Sequence, residues 1–120
     1  VRFSQIVTNL VMNACKFTPR GGTVTLSLQC EDDRLVLAVR DTGIGIPPAL
    51  IERVFDLYWQ AGRPMEWSET GLGIGLALVR QIAQLHGGSI VAHSDGPGCG
   101  SEFVVELPVL VAAPAAAPLV

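Results

Sequence analysis

Three groups of residues in this sequence have the types and spacings to do chemistry. The first is Gln5, Asn9, Asn13 and Lys16. With helical rotation of about 100° per residue, these four fall within roughly an 80° arc. Asparagine is a mediocre helix former, so two of them at i and i+4 need an explanation. A solvated helix face is one explanation. A ligand site is the other: amide oxygens are hard ligands suited to Mg2+, and a lysine ammonium is a compact charge for phosphate. The second group is Asp41-Thr-Gly43-Ile-Gly45-Ile46-Pro. Glycines there allow a sharp turn and the close approach of a flat ligand. A carboxylate at that point can accept a hydrogen bond from an exocyclic amine, although a tight Asp-Gly turn has the same look. The third group is Gly71-Leu72-Gly73-Ile74-Gly75-Leu76. Free N–H groups at a glycine-rich helix start form a phosphate cradle; a merely flexible loop is the plain alternative. The string is GxGxG rather than GxGxxG, with no strand before it, which argues against a dinucleotide-binding unit. No GxxxxGK[ST] phosphate loop occurs anywhere.

These groups need elements to hold them. Phe3, Ile6, Val7, Leu10, Val11, Ala14 and Phe17 recur with a helical period on the side away from the asparagines, and KFTPRGG ends the run. Residues 23–30 (TVTLSLQC) alternate apolar and polar, which predicts a half-buried strand. Residues 31–34 form a charged turn, and LVLAVR returns as the second strand of a hairpin, leaving Asp41 at its end. Pro47 and Pro48 suit the first turn of a short helix over about residues 49–55. An irregular segment, 56–70, leads into a second long helix from about Gly73 to His86, closed by Gly87-Gly88. Two further strands, 89–93 and 102–107, flank the turn SDGPGCG. The order α-β-β-α-α-β-β predicts a two-layer α/β sandwich of the α+β kind, with helices on one face of a mixed, mostly antiparallel sheet.

Composition bounds the function. The 120 residues are 49% hydrophobic and 16% charged, enough apolar mass for one cored domain without metal or disulfide staples. A formal charge of −3 argues against broad electrostatic binding to nucleic acid. The three cysteines, Cys15, Cys30 and Cys99, form no CxxC pair and no Cys/His metal spacing, so reduced thiols in a cytoplasmic protein are expected. No signal segment or long apolar run is present, so no membrane contact by this domain is expected. LPVLVAAPAAAPLV, broken by three prolines, reads as a linker or tail. Residues 1–108 are expected to form the domain, as an N-terminally truncated piece of something longer, and 109–120 the tail.

Five strings, NLVMNACKFT, DTGIGIP, VFDLYWQ, GLGIGLALV and GCGSEF, occur in that order. In these the chain resembles the catalytic ATP-binding domain of bacterial sensor histidine kinases, the Bergerat-type fold shared with DNA gyrase, MutL and heat-shock chaperone ATPases. The resemblance covers about residues 1–108. It implies that Asn13 coordinates Mg2+, with Asn9 supporting the metal and phosphate shell, that Lys16 contacts the phosphates, and that Phe17 packs against adenine. It implies that Asp41 receives the adenine amino group in a pocket shaped by Gly43, Gly45 and Ile46. Gly71, Leu72, Gly73, Ile74, Gly75 and Leu76 match the phosphate-side glycine box. Phe55 and Tyr58 match the aromatic segment that anchors a mobile lid, and Gly98, Gly100 and Ser101 the last glycine box.

The resemblance also implies partners. They are ATP, a helical dimerisation domain of the same kinase that carries the phosphoacceptor histidine, and a response-regulator receiver domain. The full-length protein would then be a kinase, in some cases membrane-anchored. In the superfamily's hydrolases a glutamate four residues before the metal asparagine activates water; Asn9 occupies that position here, and an amide is no general base. That favours phosphoryl transfer over hydrolysis. No phosphoacceptor motif is visible, and neither His86 nor His93 suits that role. The short stretch AGRPMEWSET departs from the family's more basic lids, and its one cation, Arg63, either meets the γ-phosphate or faces solvent. Two other readings are a nucleotide-binding pseudokinase or docking module, and a serine kinase of the anti-sigma-factor type.

Overall fold

The computed structural model describes residues 2–55 and 75–109. Helix α1 spans Arg2–Phe17 and buries Ile6, Leu10 and Ala14, one turn apart on a single face. It stops where Pro19 follows, and Thr18 donates its hydroxyl to the Ala14 carbonyl at 2.7 Å, satisfying one of the orphan carbonyls of the last turn. Lys16 lies in that last turn, where a cation suits the negative end of the helix dipole.

Strands β1 (Val24–Glu31) and β2 (Arg34–Asp41) form a hairpin through a tight turn in which Asp32 takes φ 56°, a conformation aspartate tolerates better than most residues. Helix α2 (Gly75–Leu85), β3 (Ser89–His93) and β4 (Ser101–Pro108) follow. The sheet order is β1-β2-β4-β3 and each of the three pairings is antiparallel. Strand β4 thus returns into the gap between β2 and β3. Its register sets Ser101 opposite Asp41, at the end of the two central strands where the chemistry-bearing loops begin.

Alternation puts Leu37 and Val39 of β2, Phe103 and Val105 of β4, and Ile90 and Ala92 of β3 on the face covered by helices, where they pack with Val79, Ile82 and Ala83 of α2. Burying each large aliphatic side chain here stabilises the fold by about 1.5–3 kcal/mol. Phe55 closes this core edge-on to Phe103, with ring centroids 6.0 Å apart, and the Arg80 guanidinium lies 5.4 Å over its ring. Among the described residues no helix is long and apolar enough to cross a membrane.

Two local expectations change. Strand β1 is not half-buried: every residue after Val24 is exposed, including Leu26 (46%) and Leu28 (51%) on its inward face. That strand lies at the sheet edge, and among the described residues no helix covers it as the others are covered. The short helix at 49–55 is a 3-10 turn over Pro48–Arg53. Pro47, ahead of a second proline, is held extended at φ −61°, ψ 142°, and its carbonyl accepts the Leu50 N–H at 2.8 Å, the tight i+3 closure of a 3-10 turn.

Candidate functional site

The base of the site is the loop that leaves β2. The Asp41 carboxylate is 5% exposed and holds a donor at each oxygen: the Gly43 N–H reaches Oδ1 at 2.8 Å and the Ser101 hydroxyl reaches Oδ2 at 2.9 Å. The first bond is local, an Asx turn; the second exists because the β2–β4 register puts Ser101 beside Asp41. Each carboxylate oxygen has a second lone pair, so acceptor capacity remains.

Two glycines let this loop lie against its neighbours. A Cβ on Gly43 would stand 2.1 Å from the Phe17 carbonyl oxygen, and the same carbonyl accepts the Ile44 N–H at 3.2 Å. Gly43 thereby joins the loop to the end of α1. Gly45 has φ 75° and a Cβ there would meet the Gly96 carbonyl at 2.1 Å, so the loop also presses on the turn between β3 and β4. Backbone bonds fasten that second contact: Gly98 N–H to the Ile44 carbonyl at 2.7 Å, and Gly100 N–H to the Gly43 carbonyl at 3.1 Å. Ile46 is buried beneath.

Ser94, unmarked among the sequence candidates, lies at this junction. Its Oγ accepts the Ile46 N–H at 2.9 Å and the Gly96 N–H at 3.2 Å, and donates to the Gly100 carbonyl at 2.7 Å. The signal available in the sequence was Ser-x-Gly at a strand end, the pattern of a serine turn. Its contact with Ile46, 48 residues away, had no such signal.

On α1, Asn13 is 7% exposed, and its carboxamide has no hydrogen-bond partner among the described residues. Asn9 lies one turn earlier, half-buried, and its Oδ1 faces the start of α2, 4.0 Å from where a Cβ on Gly75 would stand. The Lys16 ammonium lies 5.5 Å over the Phe17 ring. A buried amide without a protein partner costs about 1–3 kcal/mol, which is tolerated where something else satisfies it. The donor set suits a hard cation that keeps oxygens of phosphate and water in its shell, as Mg2+ does. No cluster of three or more His, Cys, Asp or Glu side chains occurs among the described residues, so a carboxylate-rich cage is not what is on offer there.

The sequence candidates therefore divide. Asp41, Gly43, Gly45, Ile46 and Ser101 are brought together at the loop end of the sheet, and Phe17 is tied to them through its carbonyl. Asn9, Asn13 and Lys16 share α1, and Gly75 and Leu76 open α2. Phe55 is a core residue. Tyr58, Arg63, Gly71, Leu72, Gly73 and Ile74, with the lid expected over 56–70, lie outside the described residues. Of the two histidines, His86 bonds the Ile82 carbonyl through Nδ1 at 2.9 Å at the end of α2, and His93 is exposed on β3.

Known proteins are similar to this chain in sequence and in fold. Residues 1–111 match the family described as histidine kinase-, DNA gyrase B- and HSP90-like ATPase. The histidine protein kinase DivJ of Caulobacter vibrioides is 52% identical over 108 residues, 90% of this chain and 18% of its own length. The circadian input-output histidine kinase CikA of Synechococcus elongatus is 43% identical over 107 residues, 89% of this chain and 14% of its own. The chain thus spans less than a fifth of these relatives. Among solved structures, full-length ShkA in complex with AMPPNP superposes with a TM-score of 0.77 at 36% identity, covering 98% of this chain and 23% of that one. The mycobacterial sensor histidine kinase MprB gives 0.74 at 32% identity, covering 87% and 70%. With a family match over nearly its whole length and sensor kinases as its relatives, this chain belongs to the histidine kinase-, DNA gyrase B- and HSP90-like ATPase family.

Proposed function

We propose that this chain binds Mg-ATP and presents its γ-phosphoryl group to a histidine on a separate helical dimerisation domain, a step in two-component signalling whose later acceptor is a receiver-domain aspartate. One observation carries the reading. Among the described residues only two polar or charged side chains are buried, Asn13 and Asp41, and each has chemistry left over. Asp41 keeps free lone pairs for an exocyclic amine, with Gly43 and Ser101 fixing its orientation. The Asn13 amide oxygen would hold the metal, with Asn9 one turn away and Lys16 serving phosphate as a point charge.

By the sequence resemblance, Phe17 would pack against the base and Ile46 would help wall its pocket, with Leu76 on the phosphate side. The Gly75 N–H at the start of α2 would receive a phosphate oxygen, and the sequence resemblance alone adds Gly71 and Gly73 to that role. Tyr58, Arg63, Leu72 and Ile74 join the assignment through the sequence resemblance alone. When bound, Mg2+ supplies neutralisation of the triphosphate charge. The chain's own residues would do the rest: they orient the nucleotide, and the position four residues before Asn13 carries the amide Asn9, which is no base for water.

The test is calorimetric titration of ATP with and without Mg2+, followed by addition of a helical domain bearing the acceptor histidine. Mg2+-dependent binding and an acid-labile phosphoryl group on that histidine are expected. No binding at millimolar nucleotide sinks the reading, and phosphate found only on serine of a partner replaces it with a serine kinase.

A further inference from the structure

We propose that Ser94 is a positioning residue for the base end of the site: it sets the geometry with which Asp41 meets the nucleobase, an inference that rests on the nucleotide reading above. A serine hydroxyl offers one donor and two acceptor lone pairs. Ser94 uses all three, giving its proton to the Gly100 carbonyl at 2.7 Å and accepting from Ile46 and Gly96 at 2.9 and 3.2 Å. The partners are backbone groups of two loops, so one side chain locks the turn between β3 and β4 to the loop that follows β2.

The two backbone bonds between these loops attach at Gly43 and Ile44. Neither reaches Ile46, at the far end of the loop. The bond to Ile46 supplies a third attachment point, and three points fix an orientation where two define only an axis. On the other side, the carbonyl that Ser94 holds belongs to Gly100, directly before the residue whose hydroxyl donates to Asp41 Oδ2 at 2.9 Å. Ser94 therefore constrains Asp41 from both directions, through the loop that begins at Asp41 and through Ser101. Without its hydroxyl, the part-buried Ile46 N–H loses its acceptor, and the loop can recover a partner only by turning toward water.

The test compares the affinities of ATP, ITP and inorganic triphosphate, each with Mg2+, for the intact chain and for Ser94→Ala, Ser94→Cys and Ser94→Thr. ITP replaces the exocyclic amine with a carbonyl, so the ratio of ATP to ITP affinity reads the Asp41 contact directly. Losing one well-made bond and loosening a second should lower that ratio about five- to tenfold in Ser94→Ala and Ser94→Cys. Inorganic triphosphate should bind all four proteins alike, and Ser94→Thr, which keeps the hydroxyl, should retain the parent ratio. Should Ser94→Ala not fold, the near-isosteric Ser94→Cys carries the comparison. An unchanged ratio in Ser94→Cys overturns the proposal, as does an equal loss for all three ligands, which is what a purely structural role predicts. A parent chain that binds no ATP overturns the nucleotide reading and this inference with it; a parent that prefers ATP while the variants do so equally overturns only the role of Ser94.

Discussion

The loops around Asp41 and the amide-bearing face of α1 are joined at Gly43 and the Phe17 carbonyl, yet they are built on opposite plans. At the loop end nearly every polar group already has a protein partner: both carboxylate oxygens, the Ser94 hydroxyl, and the backbone of Gly43, Ile44, Gly98 and Gly100. On the helix, a buried carboxamide has no partner among the described residues. The first plan suits recognition of a rigid, flat base, where selectivity depends on an acceptor that cannot move aside. The second suits a metal and phosphates, whose ligand shell is completed only on binding. Stability and binding should therefore respond differently at the two ends.

Gly45→Ala should break the comparison hardest. A Cβ at φ 75° and 2.1 Å from the Gly96 carbonyl must push the two loops apart, lowering stability by about 2–4 kcal/mol and abolishing base selectivity with it. Denaturant melts with and without ATP would measure both. Asp41→Asn comes next. One acceptor oxygen becomes a donor aimed at Ser101, Gly43 or the ligand amine, so ATP affinity should fall about ten- to a hundredfold, as for loss of a charge-assisted bond. Inorganic triphosphate should be spared; an equal loss of both ligands would count against Asp41 as the base acceptor.

Asn13→Ala tests the other plan. Mg2+-dependent ATP affinity should drop about tenfold or more, while the melting curve stays unchanged or moves slightly upward, because removing a buried amide that has no partner among the described residues relieves a desolvation penalty of about 1–3 kcal/mol. A clear loss of stability without loss of Mg2+ dependence would make Asn13 an ordinary core residue. Arg34→Ala is the smallest effect. Its pairing with Glu106 is 3.7 Å long and both side chains are about half exposed, at 50% and 45%. Stability should change by less than about 0.5 kcal/mol, with nucleotide affinity unchanged.

Much of the fold was legible in the residues. The period of Ile6, Leu10 and Ala14 marks α1, and the hairpin and the turn at Gly87-Gly88 carry their own signals. β1 was misjudged because alternation tells which residues share a face and says nothing of whether a layer lies over that face; Leu26 and Leu28 face the helical side and are half exposed. The 3-10 turn at Pro48–Arg53 was read as an ordinary short helix because proline signals a helical start without specifying its pitch.

For the site, the sequence by itself determined the chemical groups and their order: the amide pair on α1, the carboxylate at the end of β2, the glycine-rich strings, and with them the family. Those are local or ordered patterns, visible without folding. Tertiary structure decided which of these groups are buried and which are already bonded. Ser101 reaches Asp41 across 60 residues only because β4 returns beside β2, and Ser94 reaches Ile46 across 48 only because the Gly45 contact brings two loops together. Hydrogen bonds of that range depend on strand order and register, which packing of the whole chain selects and no local run of residues encodes.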